Sequence, residues 1–204
     1  MKLMAEAVSV MRGDRMVVTH LSFGVEAGEA LVLVGPNGAG KTTLIRCIAG
    51  LLKPSAGQVR LEGGQPERTL GEECHYVGHL NGLKASLTVE ENATFWSRYL
   101  GGASEQIEPT LATFGLTTAR DVPVGYLSAG QRRRLALARL LLAARPVWLL
   151  DEPAVSLDRA AQQVLTTVVD AHLASGGLVV AATHTPLGFA RSRDLQLGAA
   201  ALAA

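Results

Sequence analysis

The chain has almost no net charge, only two cysteines, and no apolar run long enough to cross a bilayer. A formal balance of +1, from 19 Lys and Arg against 18 Asp and Glu, supplies no basic excess for gripping a phosphate backbone and speaks against a nucleic-acid partner. Cys47 and Cys74 form no C-x-x-C and have no cluster of other ligands beside them, which argues against metal or redox chemistry. Cys47 is expected to be a buried structural thiol. The longest apolar candidate, Leu135 to Leu150, is broken by Arg139 and by Arg145-Pro146, so it cannot span a membrane alone. Met1-Lys2-Leu3-Met4 is followed at once by Glu6, so no secretory leader is expected. These absences suggest a reducing, cytoplasmic setting in which any membrane role comes through a partner. What remains is 204 residues, 48% hydrophobic and 18% charged, enough for one α/β domain with its own core.

What is present centres on Gly35-Pro36-Asn37-Gly38-Ala39-Gly40-Lys41-Thr42-Thr43. An apolar run, Ala30 to Val34, precedes it and a second, Leu44 to Ala49, follows, so the spacing predicts strand, glycine-rich turn and helix. That is the context of the phosphate-binding pattern G-x-x-x-x-G-K-[ST]. Glycines let successive N–H groups point into one cavity, and the helix N-terminus adds its positive end. In this pattern Lys41 reaches the β- and γ-phosphates and the Thr42 hydroxyl ligates Mg²⁺. A ligand-free turn is the alternative, disfavoured by Lys-Thr at the required offset.

Residues 1 to 28 alternate polar and apolar positions and predict an antiparallel β-layer, to which Gly57–Gly63 could return. The helix from Thr42 is expected to end near Leu52, ahead of Pro54. Between Gly64 and about Gly125 strand signals disappear, and a mostly helical insertion is expected. Thr88 with Glu91 makes a capping box there, and Glu105 to Phe114 makes a short helix ended by Gly115. Ser128 caps a long helix to about Ala144. Val147 to Leu150 reads as a strand buried on both faces, delivering Asp151 and Glu152 to its C-terminal end. Arg159 to Ser175 is amphipathic, with Val164, Leu165, Val168, Val169 and Leu173 on one face. Leu178 to Ala182 is another buried strand leading to Thr183-His184, and Leu197 to Ala204 is a small, apolar tail.

In this order the residues resemble the nucleotide-binding domain of ABC transporters along almost the whole chain. Leu127-Ser128-Ala129-Gly130-Gln131 is similar to the LSGGQ signature, with Ala129 in place of a glycine. Leu149-Leu150-Asp151-Glu152-Pro153 resembles Walker B and the catalytic glutamate. Ser156-Leu157-Asp158 looks like the D-loop, and His184 matches the switch histidine. There are two departures. The adenine-stacking aromatic is missing near Arg12, whose guanidinium could stack on the base instead. The Q-loop glutamine is replaced by His79, either a histidine version of that contact or a loop residue without a ligand. Gly78-His79, Gly82-Leu83-Lys84, Leu87 to Asn92 and Ala181 to Pro186 resemble one subfamily, the ATP-binding subunit of the bacterial haem exporter of cytochrome c maturation.

The resemblance implies a P-loop NTPase (RecA-like) α/β core with a parallel sheet, an N-terminal antiparallel β-layer and an inserted helical subdomain. It implies one domain over 1–204, with 1–75 and 146–204 as ATP-binding core and 76–145 carrying the Q-loop region, helical subdomain and signature helix. It implies ATP and Mg²⁺, the ion held by Thr42 and Asp151, with Glu152, His184 and Lys41 catalytic and His79 and Asp158 coupling. A second copy, covering the γ-phosphate in trans with Ser128 and Gly130, and integral membrane subunits are the implied partners. A haem-handling chaperone is involved indirectly, and the place implied is the cytoplasmic face of the bacterial inner membrane. Neither Cys74-His75 nor His79 lies in a C-x-x-C-H pattern, so no haem is expected on this chain. Another ABC importer or exporter cassette, and a soluble ABC ATPase, stay open as alternatives.

Overall fold

Alternating burial along the first 26 residues produces a hairpin. In the computed structural model, which describes residues 1–198, β1 (Lys2–Arg12) and β2 (Arg15–Glu26) pair antiparallel about a turn at Gly13-Asp14. β3 (Ala30–Val34) starts a second sheet and leads into α1 (Lys41–Ile48), after which β4 (Ala56–Glu62) returns to the free edge of β1. α1 stops short of the end that Pro54 suggests. Gly50 takes a φ of 73° and donates to Cys47 O, while Leu51 N bonds Arg46 O, and this paired closure ends the helix first.

β5 (Cys74–Val77) follows, a strand that no alternation announces. It exists because it pairs in parallel with a later strand, an effect of tertiary context rather than propensity. α2 (Val89–Leu100) opens on the Thr88–Glu91 capping box, and α3 (Ile107–Thr113) ends ahead of Gly115, as expected. α4 (Ala129–Leu142), β6 (Val147–Asp151), α5 (Arg159–Ala174) and β7 (Leu178–Ala182) fall close to their expected places. β8 (Ser192–Gln196) is again unannounced, a mostly exposed edge strand with little apolar content. Of the apolar tail, residues 199–204 lie outside the described residues.

The second sheet is all parallel, in the order β5-β6-β7-β3-β8. Its two faces bury alternate residues of the same strands. Val147, Leu149, Val180, Ala182, Leu31 and Leu33 pack with α1 and the antiparallel layer. Trp148, Leu150, Val179 and Ala181 pack with the core formed by α2 to α5. Strands covered on both sides need continuous apolar sequence, which is what made β6 and β7 readable. Among the described residues no helix is long and apolar enough to cross a membrane. Both cysteines are buried free thiols, and burial pushes the Cys74 thiol up to about 12.

Two histidines, His75 buried and His172 half-buried, bracket Trp148. His172 stacks on the indole at 3.8 Å, and His75 meets it edge-on while its Nε2 donates to Ala143 O at 2.7 Å. Burial lowers both imidazoles from 6.5 to about 4. Between those values the unfolded chain binds more protons than the folded one. Their contribution to stability is therefore complete above pH 6.5 and is lost as pH falls toward 4. Urea midpoints should drop steadily across that window, and the His75→Gln variant should show a shallower drop.

Candidate active site

Parallel strands in adjacent positions bring their C-terminal ends to one edge, and three of them meet here. β3 leads into Gly35, β7 into Thr183-His184, and β6 ends at Asp151 just ahead of Glu152, with β7 between the other two. Gly35 has a φ of 141°, and a Cβ on it would lie 2.4 Å from the Leu197 carbonyl oxygen, so no side chain fits there. Gly40 stands at the N-cap of α1 in the left-handed region without a side-chain cap, leaving the first N–H groups of the helix for a ligand.

Lys41 is buried, with Nζ donating to Gly35 O at 2.7 Å and Pro36 O at 3.1 Å. Thr42 Oγ1 donates to Asp151 Oδ1 at 3.0 Å, while Asp151 Oδ2 is buried without a hydrogen-bond partner among the described residues. A buried carboxylate oxygen with nothing bonded to it is costly unless a cation completes it. Glu152 sits at a φ of 50°, a left-handed backbone rare for a residue with a side chain. Its N–H bonds Ala182 O at 2.8 Å, and Oε1 is 3.3 Å from His184 Nε2. Lys41, Thr42, Asp151, Glu152 and His184, spread over the chain, thus share one edge of one sheet.

The 127–131 motif is built separately. Leu127 is buried and anchors it, whereas Ser128 and Ala129 face solvent. Ser128 Oγ accepts from Gln131 N at 3.1 Å, and Gln131 Oε1 accepts from Ser128 N at 2.9 Å, a reciprocal cap on α4. Gly130 lies so close to Ser156 that a Cβ would be 2.9 Å from the Ser156 carbonyl oxygen. Asp158 caps α5 by accepting from Ala161 N at 2.8 Å. His79 is exposed in the bend just after β5, the strand beside β6.

Arg12 is the last residue of β1, across the hairpin from Arg15. The cavity of about 560 Å³ between β2 and the glycine-rich loop is lined by Arg15, Met16 and Val17 with Pro36, Asn37 and Gly38. Arg15, which the sequence reading passed over, is therefore the arginine on that cavity. No motif marks Arg133 either. Arg132, Arg133 and Arg134 look like a solvated run, and only helical phase separates Arg133, on the buried side with Leu137 and Leu140.

Residues 18–155 match the family described as ABC transporter. The chain belongs to that family. The cytochrome c biogenesis ATP-binding export protein CcmA of Rhodopseudomonas palustris is 49% identical over 201 residues, covering 98% of this chain and 100% of the relative. Among solved structures, the ATP-binding subunit of an ABC transporter has a TM-score of 0.81 at 25% identity, over 90% of this chain and 80% of that one. A dimeric, post-hydrolysis ATP-binding cassette bound to ADP and Pi has a TM-score of 0.80 at 22% identity, over 96% of both chains. The expected layered ABC ATPase fold is thus the one observed, and the chain is an ABC-type ATPase subunit.

Proposed function

We propose that this ABC ATPase powers an export system that handles haem during c-type cytochrome maturation, hydrolysing ATP between two copies of the chain. The observation that carries the reading is the meeting of Lys41, Thr42, Asp151, Glu152 and His184 at one sheet edge, in a chain half identical to a cytochrome c biogenesis export ATPase. The N–H groups of residues 37 to 43 cradle the phosphates, and Lys41 turns from the Gly35 and Pro36 carbonyls to the β- and γ-phosphates. Thr42 Oγ1 and the unpartnered Asp151 oxygen suit a Mg²⁺ ion, which supplies charge neutralisation across those phosphates. Glu152 polarises the attacking water, and His184 touches the γ-phosphate. Positioning and electrostatics are most of what phosphoryl transfer requires of a protein.

One copy offers only half of this cage. The exposed Ser128 and the Gly130 backbone, at the N-terminus of α4, suit the γ-phosphate of a second copy arranged head to tail. Arg15, on the cavity beside the glycine-rich loop, is the arginine available to the base, with Arg12 across the hairpin from it. Closing and reopening the pair drives integral membrane subunits, with the ATPase peripheral on the cytoplasmic face of the inner membrane and a haem chaperone downstream. His79 and Asp158 lie on the coupling route.

In cells whose only copy carries Glu152→Gln, haem-stained c-type cytochromes should disappear while the tagged chain still brings down its membrane subunits. Normal holocytochrome levels in that strain would assign the cassette to another exporter.

A further inference from the structure

Arg133, five positions along from Ser128 on α4, is 4% exposed, yet no carboxylate among the described residues hydrogen-bonds to it. Each of its five N–H donors instead meets a neutral acceptor. Nε donates to Pro153 O at 3.2 Å. Nη2 donates to Asp151 O at 2.9 Å and Glu152 O at 2.8 Å. Nη1 donates to Gly78 O at 2.8 Å and Asn81 Oδ1 at 3.1 Å. A planar fork is the side chain that can span so many fixed acceptors, and a lysine cannot replace it.

The acceptors fall into two groups with a common purpose. The carbonyls of Asp151 and Glu152 define the peptide planes on either side of the Glu152 Cα. Pinning both fixes the two dihedrals of a residue held at a φ of 50°, a conformation that persists only when surroundings over-determine it. The Cα–Cβ bond then leaves the backbone in one direction, and the carboxylate it carries lies 3.3 Å from His184 Nε2. Gly78 and Asn81 flank His79, so the same guanidinium grips the segment after β5. Farther along α4, the buried Arg139 lies 4.3 Å over the Trp96 ring, whose Nε1 donates to Gly82 O at 3.0 Å. α4 thus holds residues 78–82 near both ends.

We propose that Arg133 is a positioning residue for ATP hydrolysis, which fixes the aim of Glu152 and links that aim to the His79 segment and to the helix bearing Ser128. The inference rests on the ATPase reading of Glu152. Movement of α4 or of residues 78–82 then reaches the hydrolytic carboxylate through one side chain, without passing through the P-loop.

The test is Arg133→Lys in the full chain, with ATP affinity measured by calorimetry and hydrolysis by single turnover at saturating Mg-ATP. An ammonium offers three donors for five acceptors, so affinity should stay within about threefold while the rate falls about tenfold or more, the loss expected from a misaimed base. An unchanged rate, or a rate that falls only in step with affinity, overturns the proposal. Asn81→Ala keeps the bonds to residues 151–153 and serves even if the lysine variant fails to fold. With membrane subunits co-purified in detergent, its basal rate should stay within about twofold while partner-stimulated turnover falls about fivefold. Undiminished stimulation overturns the link. A wild-type chain without turnover would instead refute the ATPase reading, whereas an active wild type beside an equally active Arg133→Lys refutes this inference alone.

Discussion

Replacing Glu152 by glutamine should stop turnover and leave ATP bound. The amide is nearly isosteric with the carboxylate, so the left-handed backbone, the Glu152 N–H bond to Ala182 O and the three carbonyls held by Arg133 all remain. What disappears is the negative charge proposed to polarise water beside His184, 3.3 Å away. A positioned general base is worth about 10²- to 10⁴-fold in rate, and a loss in that range is expected in phosphate release at saturating Mg-ATP. Affinity for ATP should change little, because Lys41, Thr42 and the loop amides are untouched. A variant that hydrolyses ATP at the wild-type rate would move the base to another residue.

Lys41→Ala acts on the other half of the event. Its ammonium is buried against the glycine-rich loop and already satisfied by Gly35 O and Pro36 O, so its loss should disturb the fold little. In the proposed complex with nucleotide the same group meets phosphate oxygens, and charge-assisted bonds of that kind contribute about 1.5–3 kcal/mol. Calorimetry should therefore show ATP binding weakened by about 10- to 100-fold. Equal affinity in the variant and the wild type would leave Lys41 as a structural bridge across the loop and nothing more.

The parts of the fold legible in the sequence are those in which local pattern and tertiary role agree. β6 and β7 are continuous apolar runs because both of their faces are covered, and Thr88 and Ser128 cap helices through side chains visible in the sequence. β5 and β8 carry no such signal. Cys74–Val77 and Ser192–Gln196 become strands because a neighbouring edge is available to pair with, which no local pattern records. The end of α1 was misjudged for a related reason, since Gly50 closes the helix before Pro54 can.

The site divides in the same way. Gly35 to Thr43, Asp151, Glu152 and His184 follow from motif order, and the sheet topology explains why they converge. Arg15 depends on the register of a two-residue hairpin turn, where a one-place shift exchanges faces. Arg133 depends on helical phase within three consecutive arginines, and on acceptors from two loops distant in sequence.

In the proposed dimer this edge is half of a site, completed by Ser128 of a second copy. Light scattering on the Glu152→Gln chain, with and without saturating Mg-ATP, measures it directly. A monomer that becomes a dimer on adding nucleotide is the expected result, and a chain that stays monomeric with its P-loop saturated would rule out the shared site.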